Sequence, residues 1–278
     1  MVDIMRHMDH LGPAGKTLSV SERSGLQVSM LQREHEESLP SKMLFWGKVE
    51  GVENDYLICY ALVEPSIDQG DFPVKKYYFC LSSDTALRLM PVLSEDYAAR
   101  AKLVNGRFRG DPSFPLDEEP EEVPDEDAEP PERFREMHRL AHTVQQVDRA
   151  AAVVPRGALL AEPSRRIRPF RNYEGLGREA ALDLRSYFHY RPPESAQAAA
   201  ALAKKGLLRS RDSEFLDPIS ADRPQGCWAL TTDSTSTLAV LRSLAWPGYY
   251  FFHQVGTGDY GGAYFGNGLP NPDLAFML

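Results

Sequence analysis

Cysteine is scarce in this chain. Its 278 residues include three, Cys59, Cys80 and Cys227, which form no CxxC pair and no metal-like spacing. So odd and sparse a set excludes a disulfide framework and fits reduced thiols of a cytosolic compartment. Each reads as filler for a small apolar gap rather than as a nucleophile. No run of 18 apolar residues occurs, so no spanning helix is expected. The opening "MVDIMRHMDHLGPAGK" has no apolar stretch of signal-peptide length, so secretion is not expected.

A basic excess is missing as well. The net charge is −9, and its source is local. The stretch "DEEPEEVPDEDAEPPE", residues 117–132, holds ten acids and no base. Setting those ten aside leaves thirty acids against thirty-one bases, so the rest of the chain is nearly neutral. Such a body lacks the positive field that nucleic acid requires. Charge density and the prolines Pro120, Pro124, Pro130 and Pro131 predict a solvated loop over about 113–132. Its acids lack the glycine and the spaced oxygen ligands of a calcium loop.

What the chain does have is 42% hydrophobic residues, enough for a real core, and 28 aromatics. Residues 1–16 read as a flexible N-terminal segment, and 17–278 as a single body. "TLSVSERSGLQVSMLQREHEES" predicts a helix, with Ser19 and Glu22 at capping-box spacing, Leu26, Met30 and Arg33 on one face, and Pro40 ending it. "KMLFWGKVEGV", "DYLICYALV" and "VKKYYFCL" then read as an antiparallel meander from about Met43 to Leu81. Both parities of "DYLICYALV" are apolar, which predicts a sheet covered on both faces.

Short helical pieces are expected in "SSDTALRLMPVLSEDYAARAKL", and a short strand ending in a Gly-Asp-Pro turn in "VNGRFRGDPSF". "ERFREMHRLAHTVQQVDRAAAV" predicts a helix with the stripe Phe134, Met137, Ala141, Val144 and Val147. Two further helices are expected in "NYEGLGREAALDLRSYFHYRPP" and "PESAQAAAALAKKGLL", stopped by Pro192-Pro193 and by Gly206. "CWALTT", "TLAVLRSLAW", "GYYFFHQV" and "YGGAYFGNG" return to strands. The absence of βαβ alternation predicts an α+β fold, mostly antiparallel sheets with helices packed on them in one compact body.

The chemical motifs fail on context. Gly256, Gly258 and Gly261 spell GxGxxG, but 17 residues then remain, too few for the helix and second strand of a dinucleotide site. A kinase-type glycine loop lacks its downstream parts. The bland reading is a hairpin turn using φ > 0. "GPAGKT" has His10 where a P-loop needs its first glycine. His138 and His142 stand at i, i+4 without a third ligand and read as solvated. His189 and His253 read as core or interface histidines, Asp111 as a turn residue. Arg156 is open between a structural role and an interface role.

Taken together, "MLFWGKVEGVENDYLICYAL", "VNGRFRGDPSF", "QVDRAAAVVPRGAL", "YEGLGREAALDLRSYFHYR", "LAVLRSLAWPGYYFFH" and "NPDLAFML" resemble the radial spoke head protein nine family of motile cilia and flagella. The resemblance runs in order from about Met43 to Leu278, and no family role transfers to the acidic segment. It implies a non-enzymatic subunit of the spoke head on the axoneme, with no cofactor and no catalytic residue. Implied partners are the related head proteins four and six, other head and stalk subunits, and the central pair projections that the head faces; neither nucleic acid nor membrane is implied. Such a head passes mechanical signals to the dynein arms.

Trp246, Tyr249, Tyr250, Phe251 and Phe252, with Phe276 and Leu278 of the apolar "DLAFML", are the candidate protein-interaction residues. Two alternatives remain open: a small nucleotide- or metal-dependent enzyme, and an acidic adaptor working through residues 117–132.

Overall fold

The computed structural model describes residues 3–4, 6–15, 17–65, 72–117, 133–162, 166–203, 213–233, 235 and 237–277. Helix α1 spans Val20–Glu36. Its capping box forms as expected: the Ser19 hydroxyl accepts from the Glu22 amide at 3.1 Å, and the Glu22 carboxylate accepts from the Ser19 amide at 2.8 Å. Leu26 and Met30 are buried. Arg33, on the same face, lays its guanidinium against the Leu87 carbonyl at 2.7 and 3.0 Å.

The meander follows as β1 (Leu44–Val49), β2 (Tyr56–Val63), β3 (Val74–Leu81) and the two-residue β4 (Arg88–Leu89). Helices α2 (Glu95–Leu103) and α3 (Glu136–Ala151) come next. Short strands β5 (Val153–Pro155), β6 (Leu159–Ala161) and β7 (Ile167–Pro169) precede α4 (Arg178–Ala181), β8 (Tyr187–His189) and α5 (Ala196–Ala203). A second meander closes the chain as β9 (Trp228–Thr232), β10 (Leu238–Ser243), β11 (Tyr249–Gln254) and β12 (Tyr260–Gly266), before a last turn, α6 (Leu274–Met277).

The two meanders form one sheet in the order β4-β3-β2-β1-β12-β11-β10-β9. Every pairing in it is antiparallel except the central seam, where β1 and β12 run parallel. Gly47 faces Tyr264 there, and a Cβ on Gly47 would lie 2.3 Å from the Tyr264 carbonyl oxygen. Glycine at this position is what lets the first and last strands close.

Both faces of the sheet are covered, as the two apolar parities of β2 required. Tyr56, Ile58 and Tyr60 enter one cluster with Leu140, Ala141, Val144 and Val147 of α3. Leu57, Cys59 and Ala61 enter the other with Leu26 and Met30 of α1. Ile4, Met8 and Leu11 belong to this second cluster, so the N-terminal segment is packed rather than free. A 3₁₀ helix at Met8–Ala14 lays Leu11, fully buried, on the sheet, and His10 sits 4.9 Å from the Phe252 ring. The physical reason is that one amphipathic helix is too narrow to cover an eight-stranded face.

Other expectations shift locally. "NYEGLGREAALDLRSYFHYRPP" yields only the four residues of α4 and a 3₁₀ turn at Leu184–Ser186, because its aromatics Tyr187 and Phe188 pair as β8 with β5. "VNGRFRGDPSF" contributes a single bridge, Phe108 with Gly51, not a strand, and Pro115 just after it bridges to Arg135. Residues 113–117 are paired structure: Leu116 donates to the Phe134 carbonyl at 3.0 Å, and the Asp117 carboxylate accepts from the Phe134 amide at 2.8 Å. Residues 118–132, most of the acidic segment, lie outside the described residues, as does Gly206.

Candidate interaction surface

The sequence motifs that suggested chemistry are taken up by packing. The GxGxxG stretch joins β11 to β12 as a hairpin, with Gln254 donating to Asp259 at 2.9 Å and Gly256 at φ 72°. Its backbone presses against the segment Tyr173–Leu176. Gly256 donates to the Leu176 carbonyl at 2.9 Å, and a Cβ on Gly258 would lie 2.5 Å from the Tyr173 carbonyl oxygen. Gly258 therefore answers to close backbone approach, while the positive φ of the turn falls on Gly256.

The histidines are structural in four ways. His138, read from the sequence as solvated, is buried: its Nδ1 accepts from the Arg135 amide at 3.0 Å and its ring lies 4.5 Å from Tyr97, because α2 packs over the first turn of α3. His142 is half-buried, and burial lowers its basicity. His189 is buried and meets the Asp222 carboxylate at 2.8 Å, which also accepts from the Trp228 indole at 2.8 Å. His253 is fully buried; its Nε2 accepts from the Leu176 amide at 3.2 Å, and desolvation pulls its pKa down to about 4. Among the described residues, no group of three His, Cys, Asp or Glu is placed to hold a metal ion.

Asp111 is the turn residue expected. Its carboxylate accepts from the Ser113 amide at 2.9 Å and hydroxyl at 2.6 Å, and those bonds hold its pKa below the usual range. Arg156 donates to the Arg185 carbonyl at 2.9 Å within the chain. All three thiols are buried and unpaired, and burial raises each above the ordinary cysteine value, which suppresses thiolate chemistry.

One polar centre was not foreseen. The buried Glu136 carboxylate accepts from the Tyr56 hydroxyl at 2.6 Å and from the amides of Arg109, Gly110 and Asp111 at 2.7, 2.8 and 3.2 Å. It ties the Gly-Asp-Pro turn to the start of α3 and to β2. Desolvation and this bond raise the Tyr56 pKa. The only sequence signal was an acid in the first turn of a helix, which alone does not distinguish a buried clamp from a solvated dipole partner.

The seven candidate interaction residues separate cleanly. Tyr249, Tyr250, Phe251 and Phe252 are buried within the chain's own sheet, Tyr249 and Phe251 on the α3 face and Tyr250 and Phe252 on the α1 face. This corrects the expectation that they face a partner: a strand in the middle of a sheet covered on both sides spends both parities on the core. Trp246 is half-buried against the α3-side cluster. Phe276 is 89% exposed and its neighbour Met277 59%. Met277 lines a cavity of about 480 Å³ with Leu244, Pro247, Gly248, Tyr250 and Asn271. Leu278 lies outside the described residues. A second exposed apolar set, Val20, Val28 and Leu31, lies on the outer side of α1.

The architecture has close relatives in sequence. The chain is 35% identical over 272 residues to the Radial spoke head protein 9 homolog of Homo sapiens, covering 95% of each chain. It is 34% identical over 278 residues to that of Danio rerio, covering 98% of this chain and 97% of the relative. The Xenopus tropicalis homolog matches at 30% over 276 residues. No family model matches. These likenesses place the chain in a class, the radial spoke components of the ciliary and flagellar axoneme. Within that class it belongs to the radial spoke head protein 9 family. Among the described residues, no helix is long and apolar enough to cross a membrane.

Proposed function

We propose that this chain is a non-enzymatic structural subunit of the radial spoke head. In this reading it supports assembly of the head and the passage of mechanical signals between the central pair and the dynein arms. Its partners are other head subunits, those related to head proteins four and six among them, and the central pair projections across the head surface. The observation that carries the proposal is the end-to-end similarity to radial spoke head relatives, 35% identity over 95% of both chains. The packing roles of the glycine hairpin and the histidines support it, since they leave the enzyme alternative without its motifs. Phe276, with the half-buried Trp246, is the part of the candidate surface that is not wholly taken up by the chain's own core.

Extraction of demembranated axonemes tests the proposal. The chain should stay with the doublets and co-purify with other spoke-head subunits, and cells lacking it should keep axonemes with incomplete heads and disordered beating. A monomer released into the soluble matrix while intact heads remain on the doublets overturns the reading.

A further inference from the structure

Six of the seven pairings in the eight-stranded sheet join antiparallel strands that follow one another in the chain. The free ends of two such strands lie side by side, so tension along the chain opens their bonds one at a time. The seam differs. It pairs Gly47 with Tyr264, Lys48 with Phe265 and Val49 with Gly266 in parallel, and the Glu50 amide extends it by donating to the Gly266 carbonyl at 2.8 Å. The start of β1 and the end of β12 therefore lie at opposite ends of one ladder. Tension between those two points loads all of its bonds together.

The seam is also dry. Phe45, Trp46, Gly47 and Val49 are buried, as are residues 263–266 opposite. Rings meet across it on both faces. Trp46 and Tyr264 lie 5.5 Å apart in the α3-side cluster, and Phe45 and Phe265 lie 5.8 Å apart in the α1-side cluster. Water is thus kept from replacing the ladder bonds, which the low local dielectric strengthens. Slippage of one strand past the other has to drag those rings as well. The chain on either side is fastened to the seam. The Glu22 carboxylate of α1 meets Lys48 of β1 at 2.8 Å, and beyond β12 the Gly268 amide donates to the Tyr264 hydroxyl at 2.9 Å.

We infer that the seam makes this chain a tension-resisting link, in which a pull entering ahead of β1 and leaving beyond β12 is borne in shear by the whole ladder at once. The proposed function supplies only the source of the pull; the resistance belongs to the isolated chain. Direction is the central point. The same ladder pulled apart from one end presents its bonds singly and yields easily. Forced rupture follows the barrier along the direction of pulling rather than the equilibrium stability, so one folded state is strong along one axis and weak along another.

Single-molecule pulling on the full chain tests this. The native thiols Cys59, Cys80 and Cys227 are buried, so introduced cysteines take the handles. Lys42→Cys with Pro270→Cys, both at exposed positions, grips the seam at opposite ends; Lys42→Cys with Thr257→Cys grips it at one end. At equal loading rate the first pair should rupture at a force at least about twofold higher than the second. Glu50→Pro removes the amide of the last ladder bond, far from the end where peeling starts. It should lower the shear force by about a quarter, because that bond shares the load with about three others, and leave the peeling force unchanged. Equal forces for the two handle pairs overturn the inference, since resistance then lies in the packing of the two faces. An equal fall of both forces in a folded Glu50→Pro chain overturns it too, as general destabilisation. If that variant does not fold, the comparison of handle pairs decides alone. These outcomes leave the proposed function standing. A wild-type chain absent from spoke heads overturns that function and not the measured strength of the seam.

Discussion

At the scale of single residues, two buried polar groups do what no hydrophobic pattern specifies. Glu136 satisfies three backbone amides and a tyrosine hydroxyl at once. Glu136→Ala leaves the Tyr56 hydroxyl and the Gly110 amide buried without an acceptor, at about 1–3 kcal/mol for each unsatisfied group, and strips the part-buried Arg109 and Asp111 amides of theirs. A loss of at least about 3 kcal/mol is expected in urea denaturation. A loss under 1 kcal/mol means that the turn re-forms its bonds elsewhere. His253 makes a pH prediction whose sign is fixed by burial. Its folded pKa of about 4 lies below its ordinary 6.5, so the unfolded chain takes up the proton first. The stabilisation is complete above pH 6.5 and is lost as pH falls toward 4, amounting to about 3 kcal/mol at 1.36 kcal/mol per unit. His7 and His142 are shifted in the same direction. Replacing His253 with Gln should therefore flatten part of the acid limb of a stability–pH curve, and an unchanged limb refutes the assignment.

At the scale of elements, the N-terminal segment and the acidic segment exchange importance. The first 15 residues bring Ile4, Met8 and Leu11 into the cluster beneath α1. Burying a large aliphatic side chain is worth about 1.5–3 kcal/mol, and part of that is offset by ordering the segment. Truncation to Thr17 should cost about 4 kcal/mol and expose the sheet around Phe252, read as a lowered denaturation midpoint and increased dye binding. The acidic segment carries the opposite expectation. Leu116 and Asp117 are tied to Phe134, so the replaceable part begins at residue 118. A Gly/Ser linker in place of residues 118–131 should leave the melting temperature within a few degrees of wild type, since loop closure costs only about 0.6 kcal/mol per doubling of length. A large drop shows that the acids pair with the body; lost binding at intact stability revives the adaptor alternative.

At the scale of the whole molecule, the first and last thirds of the chain are one sheet. The seam at β1 and β12 joins residues more than 200 positions apart, so closing the sheet is a non-local event. Non-local closure of this kind is slow. Gly47→Ala places a methyl group 2.3 Å from a backbone oxygen, and no side-chain rotation relieves it. Overpacking of a rigid core site costs about 1–3 kcal/mol. Equilibrium unfolding should show that loss together with slowed refolding, because the long-range pairing is the one strained. An unaltered refolding rate shows that the seam forms after the rate-limiting step.

Much of this was legible without coordinates because it depends on local periodicity. The mixed helix and strand content, the capping box at Ser19 and Glu22, the two-sided burial of β2 and the Ala141, Val144 and Val147 part of the α3 stripe follow from spacing alone, whereas Phe134 precedes the helix and Met137 is only partly buried. The likeness to radial spoke relatives was also carried by linear stretches of sequence. What only the tertiary structure decided depends on which distant segments meet. Tyr187 and Phe188 became a strand because β5 was there to pair with them. Tyr249–Phe252 became core because β10 and β12 flank them and both faces are covered, leaving Phe276 outside. Gly47 and Gly258 earned their places through carbonyls contributed from far along the chain. Periodicity says that a residue has an apolar side or a free φ; only the packed partner says whether that side meets the core, another backbone or a neighbouring protein.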